Sequence, residues 1–138
     1  MDEYMKIAIK EAIKAKNNGD VPVGAVITMD NKVISKTHNK KEKEKNATKH
    51  AEILAISKAC KRLHSWHLDN CILYCTMEPC MMCCGAIIQS RIKKVIYLVK
   101  NEKYGCTHLL KNSKIELIEM KDNNDMKQLL NVFFQSKR

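Results

Sequence analysis

The chain has 138 residues, and 25 Lys or Arg against 15 Asp or Glu give it a formal net charge of +10. This length suits one domain with one hydrophobic core, and an apolar fraction of 45% with only two prolines argues against a disordered chain. The sequence contains no run of 18 apolar residues and starts with the acidic pair Asp2-Glu3, which is unlike a secretory signal, so we expect a cytoplasmic protein without a membrane anchor.

The N-terminal part of the chain predicts a helix followed by a β-hairpin. Apolar residues recur at helical spacing from Met5 to Ile13, and the pattern stops before Gly19. Residues 21–29 are rich in β-formers, and after the turn residues Asp30-Asn31 the extended pattern resumes.

The middle of the chain predicts a loop, two helices and the strand between them. Residues 39–49 are charged and have no apolar period, which is typical of a loop. Residues 51–59 are apolar on nearly all sides, so we expect a helix that lies against a sheet and is covered on most of its circumference. Residues 71–76 predict a buried strand, Glu78-Pro79 ends it, and residues 80–89 are compatible with a helix.

The C-terminal part predicts two strands and a last helix. The strands are residues 94–99 and 115–118, separated by a loop at 101–108 and a short helical turn at 109–110. We expect Asp125 to cap the last helix, whose apolar face consists of Leu129, Leu130, Phe133 and Phe134.

Strands that alternate with helices predict an α/β fold. We expect one central mixed five-stranded sheet with helices on both faces, a three-layer α/β/α sandwich. There is no internal repeat and no linker, so residues 1–138 should form a single domain.

The cationic residues are mainly lysine: three are arginine (Arg62, Arg91 and Arg138) and 22 are lysine. Lysine is a point charge, so the excess indicates diffuse attraction to an anion such as nucleic acid. An AT-rich genome produces the same bias, and the composition leaves both explanations open.

Three possible metal ligands stand at predicted helix starts. His50 opens one helix, and Pro79 opens another, where its missing N–H is no loss. Cys80 and Cys83 are three residues apart, so their thiols share one side of the first turn, where the helix dipole favours thiolates. The adjacent Cys84 should point away, since neighbouring helical residues diverge by about 100°. Three ligands leave a coordination position for water, as in catalytic zinc sites.

Glu52 suggests what such a metal would do. It lies two residues after His50, where its carboxylate can lean over the open position. Zinc lowers the pKa of its water to about 7, and a nearby carboxylate can relay the proton. The pattern therefore predicts attack by an activated water on an electrophilic carbon. A structural zinc knuckle or unrelated core thiols would leave Glu52 and Pro79 unexplained.

His-x-Glu followed by Pro-Cys-x-x-Cys is the signature of zinc nucleobase deaminases. The chain also resembles the family of bacterial tRNA-specific adenosine deaminases from about Tyr4 to Phe134, most clearly in residues 21–25, 50–53, 73–74, 76–80, 83–86 and 90–92. The resemblance implies a cytidine deaminase-like fold, a homodimer, one Zn²⁺ per subunit and no organic cofactor. It also implies a function: conversion of the wobble adenosine of a tRNA anticodon stem-loop to inosine.

The resemblance also implies roles for individual residues. His50, Cys80 and Cys83 would hold zinc, and Glu52 would pass a proton from the water to adenine N1. Further residues would contact the substrate: Asn39 by hydrogen bonding, Val23 as a pocket wall, and Ala51, Glu78 and Pro79 through the nearby backbone.

At the C-terminus, the resemblance places Phe133 or Phe134 beside the anticodon loop, with Lys137 and Arg138 near phosphates. The other possibility is that both phenylalanines are core residues. Asn101 stands where relatives usually carry Asp, so a carboxylate near the ribose and phosphate is missing. We therefore expect weaker discrimination between RNA and DNA.

The two motifs are also compatible with other functions. A free-base or nucleoside deaminase, guanine deaminase above all, shares both motifs, and a zinc-containing nucleic-acid-binding module is the alternative outside enzymes. The +10 charge and the basic, aromatic C-terminal helix favour RNA. His64 and His67 have no Cys or acid beside them as a second metal site, and we interpret them as surface or capping residues.

Overall fold

A computed structural model describes residues 2–122 and 124–137, so Arg138, expected near phosphates, lies outside them. Within these residues the elements in chain order are α1 (Glu3–Asn17), β1 (Gly24–Met29), β2 (Lys32–His38), α2 (Ala51–Leu63), β3 (Cys71–Met77), α3 (Met81–Gln89), β4 (Lys94–Val99), α4 (His108–Asn112), β5 (Glu116–Glu119) and α5 (Asp125–Ser136).

The strands form one mixed five-stranded sheet in the order β2-β1-β3-β4-β5. β1 pairs antiparallel with β2 and β3, whereas β3, β4 and β5 are parallel. Alternate residues of a strand face opposite sides of the sheet. Ala25 and Ile27 of β1 accordingly pack with α2, α3 and α4, and Val26 packs with α1 and α5. The predicted three-layer α/β/α sandwich is confirmed.

One detail of the helices differs from the sequence prediction. Asp125 does not cap α5: Asn124 precedes the helix with φ of 71°, and the carboxylate of Asp122 accepts the N–H groups of Met126 (3.3 Å) and Lys127 (3.1 Å). Helix α2 is covered on most sides, as predicted: only Ser57, Lys58, Lys61 and Arg62 on its outer side are exposed.

A buried carboxylate fixes the end of β2. Glu11 of α1 is 4% exposed, and its carboxylate lies 2.9 Å from Nδ1 of His38 and 2.7 Å from Nζ of Lys14. Burial raises the pKa of Glu11, but the hydrogen bonds with His38 and Lys14 outweigh burial and leave this pKa below its usual value. The pair holds α1 against the strand end from which Asn39 leaves the sheet.

One end of the sheet collects the segments that matter for function. Gly24 pairs with His38 across the β1–β2 ladder, and its N–H donates to Oγ1 of Thr76 at 3.1 Å. Because β3 and β4 are parallel, they end together, with Met77 beside Val99. Loops that follow these strands therefore meet at this edge, as expected for sites at the carboxyl ends of parallel strands. None of the helices among the described residues combines the length and apolar character needed to cross a membrane.

The contact between α1 and β1 gives a stability prediction. A Cβ at Gly24 would overlap the carbonyl oxygen of Ala8 and lie 2.8 Å from the backbone nitrogen of Ala12. We expect Gly24→Ala to lower the free energy of unfolding by about 3 kcal/mol, because the helix must move off the sheet.

Gly85 of α3 is the matched control, since nothing lies within 4 Å of a Cβ built there. Gly85→Ala should raise the free energy of unfolding by about 0.5–1 kcal/mol through helix propensity. Urea denaturation of both variants checks the pair. Equal stability of Gly24→Ala and the wild type would contradict this packing.

Candidate functional site

A groove of about 1170 Å³ opens at this end of the sheet. It runs from the start of α2, past the loops after β3 and β4, to α5. His50, Glu52 and Cys80 line it at one end, and Phe134 lines it at the other. The groove is therefore larger than the immediate surroundings of the predicted metal ligands and continues toward the C-terminal helix.

The three predicted metal ligands lie together. His50 directly precedes α2 and Cys80 directly precedes α3, so both occupy N-cap positions, and Cys83 lies in the first turn of α3. Nδ1 of His50 is 3.6 Å from Sγ of Cys80 and 3.6 Å from Sγ of Cys83, and the two sulfurs are 3.7 Å apart. Two helix N-termini thus direct three donor atoms at one point.

These distances match a tetrahedral metal centre. Zinc bonds of about 2.3 Å to sulfur and about 2.0 Å to nitrogen separate two thiolates by about 3.8 Å and a thiolate from an imidazole by about 3.5 Å. The observed distances between the donor atoms differ from those values by no more than a tenth or two of an ångström. In the described part of the chain no fourth His, Cys, Asp or Glu joins the group, which leaves one tetrahedral position for another ligand.

Electrostatics around the two thiols favour a cation. The hydrogen bond with Cys83, together with that with His50, lowers the pKa of Cys80 to about 3. The hydrogen bond with Cys80 and burial raise the pKa of Cys83. The hydrogen bond with Cys80 also raises the pKa of His50. A divalent cation bound between the sulfurs would stabilise both as thiolates.

Glu52 lies beside this group and is only 4% exposed. It occupies the first turn of α2, two residues after His50, and lines the groove. Burial raises the pKa of its carboxyl, while the charge of His50 acts in the opposite direction. The structure thus places a carboxyl group next to the three predicted metal ligands but outside their triangle.

Cys84 points away from the triangle, as the helical spacing predicts. Its thiol donates to the carbonyl oxygen of Pro79 at 3.6 Å, and burial raises its pKa to about 12. Cys84 is therefore a buried neutral thiol and not a ligand. The two histidines interpreted as surface or capping residues also lie apart: His64 ends α2, and His67 stacks on Trp66 with ring centroids 3.7 Å apart.

Most of the residues expected to contact a substrate line the groove, namely Val23, Asn39, Ala51, Glu78, Asn101 and Phe134. Pro79 does not: it is buried, and its carbonyl accepts the Cys106 N–H at 3.1 Å. Asn39 is 7% exposed, and its amide group is held on both sides, donating to the Val21 carbonyl at 3.4 Å and accepting the Lys41 N–H at 3.3 Å. One amide hydrogen and one oxygen lone pair remain for another partner.

The side chain of Glu78 holds the loop after β4 in place. Its carboxylate accepts the Asn101 N–H at 3.1 Å and the Thr107 hydroxyl at 2.6 Å, which ties the loop after β4 to the strand end before Cys80. Gly105 is needed in that loop, because a Cβ there would lie 2.5 Å from Cδ of Glu78. Asn101 in turn accepts the Tyr104 N–H at 3.0 Å. This loop is therefore a fixed wall of the groove.

Of the two C-terminal phenylalanines, one is buried in the core and the other is exposed in the groove. Phe133 is 7% exposed and lies on the buried side of α5, whereas Phe134 is 45% exposed and lines the groove. Lys137 lies over the ring of Phe133, 5.4 Å from its centroid. Phe133 is thus a core residue, and Phe134 is available at the groove surface.

Two further residues of the site carried no recognisable sequence signal. Asp20 is fully buried, and its carboxylate accepts the N–H groups of Glu42 and Lys43, which anchors the loop between β2 and His50. Tyr104 is 61% exposed on the groove wall. Asp20 follows a Gly and reads as an ordinary turn residue, and a lone Tyr in a loop has no periodic context.

Known proteins resemble the chain over most of its length. A family model described as MafB19-like deaminase matches residues 1–138. The tRNA-specific adenosine deaminase of Bacillus subtilis (strain 168) is 47% identical over 109 residues, which cover 79% of this chain and 68% of that protein.

Two solved structures are also similar. One, from work on A-to-I editing by tRNA:A34 deaminases at the wobble position of transfer RNA, is 38% identical with a TM-score of 0.74 and covers 75% of this chain and 80% of its own. The other, a guanine deaminase from Bacillus subtilis, is 31% identical with a TM-score of 0.69 and covers 100% of this chain and 94% of its own.

The ligand geometry predicts different roles for the adjacent cysteines. Cys83→Ala removes one corner of the triangle, so the variant should lose bound metal on dialysis against a chelator. Cys84→Ala is the control and should keep about one metal ion per chain under the same conditions. Metal content by mass spectrometry decides the matter. Retention of metal by Cys83→Ala, or its loss from Cys84→Ala, would contradict the assignment.

The buried anchor of the loop can be tested through amide exchange. Asp20→Asn removes the charge and one of two acceptor oxygens, and charge-assisted hydrogen bonds are among the stronger ones. We expect the amides of Glu42 and Lys43 to exchange about tenfold faster. Asp30→Asn, in the exposed β1–β2 turn, is the control. Unchanged protection of residues 42 and 43 in Asp20→Asn would show that the anchor does not hold this loop.

Proposed function

This chain belongs to the MafB19-like deaminase family, and we propose that it hydrolyses the wobble adenosine of a tRNA anticodon to inosine, releasing ammonia. The observation that carries the proposal is the triangle of His50, Cys80 and Cys83 with the buried carboxyl of Glu52 beside it. The adenosine substrate is inferred from the tRNA-specific relative at 47% identity.

The metal in this proposal is one Zn²⁺ per subunit. His50, Cys80 and Cys83 would hold it, and the donor set of two thiols and one imidazole is one that zinc prefers. When bound, zinc would supply a Lewis acid that activates water at neutral pH. Hydrolysis exchanges an amino group for an oxygen without any change of oxidation state, so the reaction has no need of an organic cofactor.

Glu52 is the proposed proton carrier. It would accept a proton from the attacking water and pass it to N1 of adenine, so that C6 becomes the electrophilic carbon. A second proton would pass to the amino group, which leaves as ammonia. Support comes from the burial of Glu52 at the inner end of the groove, since a carboxyl removed from bulk water transfers protons to substrate and not to solvent.

The proposed substrate contacts follow the groove. Asn39 has one amide hydrogen and one lone pair left for the flipped nucleoside. Val23 and Ala51 would wall the base pocket, and Asn101 would face the ribose side from the fixed loop. Phe134, exposed at the far end, would stack on a nucleotide of the anticodon loop. Glu78 and Pro79 would act indirectly, by fixing the backbone before Cys80.

Guanine deamination is the second candidate, because a guanine deaminase shares 31% identity over the whole chain. The extent of the groove favours RNA. A free base fills only its inner end, whereas the lining continues to Tyr104 and Phe134, two exposed aromatic rings on which the bases of a single-stranded nucleic acid can stack.

The oligomeric state and the cellular location of the enzyme are also proposals. We infer a homodimer of single-domain subunits, supported by the apolar outer surface of α3, where Met81 is 66% exposed and Met82, Ala86 and Ile88 are half-buried. The tRNA substrate and the seven free cysteines support action in the cytoplasm.

The role of Glu52 gives a direct test. Glu52→Ala removes the proton carrier, so inosine formation in an anticodon stem-loop should fall by at least about 10²-fold, while zinc content and stem-loop binding stay close to wild type. Glu102→Gln, an exposed carboxylate on the same groove, is the control and should remain active. Inosine is quantified after nuclease digestion. A fully active Glu52→Ala variant would refute the mechanism.

A further inference from the structure

A second groove lies on the outer side of helix α2 and strand β2, and we name it the α2–β2 groove. It has a volume of about 440 Å³, a floor formed by Val33, Ile34 and Ser35, and a rim of four cations: Lys36, Lys58, Lys61 and Arg62. All four cations are exposed. β2 is an edge strand of the sheet, so one side of this groove is open to solvent.

Hydrogen bonds to the edge strand hold two of these cations in place. Nη1 of Arg62 donates to the carbonyl oxygens of Val33 (3.2 Å) and Ile34 (3.1 Å), at the point where the β1–β2 register shifts. Nζ of Lys58 donates to the carbonyl of Lys36 at 3.4 Å. Arg has five N–H donors and Lys three, so most donors of both side chains remain free.

The charge of the α2–β2 groove is uncompensated. Within the described ranges, no carboxylate lies within 4.0 Å of any of its four cations. The groove that His50 and Glu52 line, called the catalytic groove from here on, is different, because its lining has as many acids as lysines: Lys41, Lys100, Lys103, Lys121 and Lys127 against Glu52, Glu78, Glu102, Glu119 and Asp122. The positive excess of the chain is therefore not located at the catalytic groove, and the α2–β2 groove is one place where it is concentrated.

We propose that the α2–β2 groove binds the phosphodiester backbone of the substrate tRNA, outside the anticodon loop. This inference rests on the proposed function. Residues 58–62 follow Glu52 by six to ten positions on one helix, which corresponds to about 9–15 Å along its axis, so one RNA can reach both sites. Clustered cations without an acid attract phosphate, and lysine-rich contacts hold the backbone without reading bases.

The test compares two double variants of the zinc-loaded protein. Lys58→Gln/Lys61→Gln neutralises the α2–β2 groove, and Lys6→Gln/Lys10→Gln removes two exposed lysines from α1, outside both grooves. Binding of full-length tRNA is measured between 50 and 200 mM salt. Each phosphate contact contributes about 0.9 to the slope of log K against log salt, so loss of two contacts should lower the slope by about 1.8. Over this fourfold range, salt should weaken the groove variant about twelvefold less than the control.

The outcomes separate this inference from the proposed function. The expected result is a lower slope for the groove variant alone, with inosine still formed in a minimal stem-loop. Equal slopes for both variants would overturn the inference and leave the function standing. Binding of tRNA through the groove without any inosine from the wild type would support the surface and refute the function. If Lys58→Gln/Lys61→Gln loses the binding to phosphatidylserine vesicles that the wild type shows, but binds tRNA as the wild type does, the groove is a lipid-binding surface. That result would also overturn the inference.

Discussion

The candidate site exists because two helix N-termini converge on one point, and the strands and loops around it hold them there. His50 and Cys80 occupy N-cap positions, and with Cys83 they bring three donor atoms within 3.7 Å of one another. Such proximity is possible only if α2 and α3 start at the same end of one sheet. Two features of the sheet provide this: β2 and β3 both run toward that end, and the loop after β4 is tied to the strand end at Glu78. A metal held at the point of convergence would in turn link the two helices and stabilise the arrangement.

Local patterns predicted most of the fold because each element matches its own periodicity. The span of β4 agrees with the apolar run at 94–99, and the short helical turn at Leu109-Leu110 appears as α4. The proximity of His50, Cys80 and Cys83 was also predictable, since spacing and helix-start signals act over a few residues. Helix capping was predicted less well: the pattern favoured Asp125, but the loop turns at Asn124 with positive φ and brings Asp122 to the helix instead.

What the sequence could not predict depends on contacts between distant segments. The Glu11–His38 pair joins residues 27 positions apart, and the anchor from Asp20 to Glu42 spans 22 positions. Neither contact leaves a local signature, because a buried acid is recognised only once its partners are known. The spatial distribution of charge could not be predicted from the sequence either. The +10 total is a property of the whole chain, but its distribution between a balanced catalytic groove and an unbalanced α2–β2 groove is visible only in three dimensions.

We expect this site to deaminate adenosine in RNA and not a free base. The most direct measurement is a comparison of kcat/KM for the zinc-loaded wild type with an adenosine-bearing anticodon stem-loop and with guanine, each followed by release of ammonia and by product analysis. We predict inosine at the wobble position of the stem-loop and no measurable conversion of guanine. Ammonia from guanine, with the stem-loop adenosine unchanged, would contradict it.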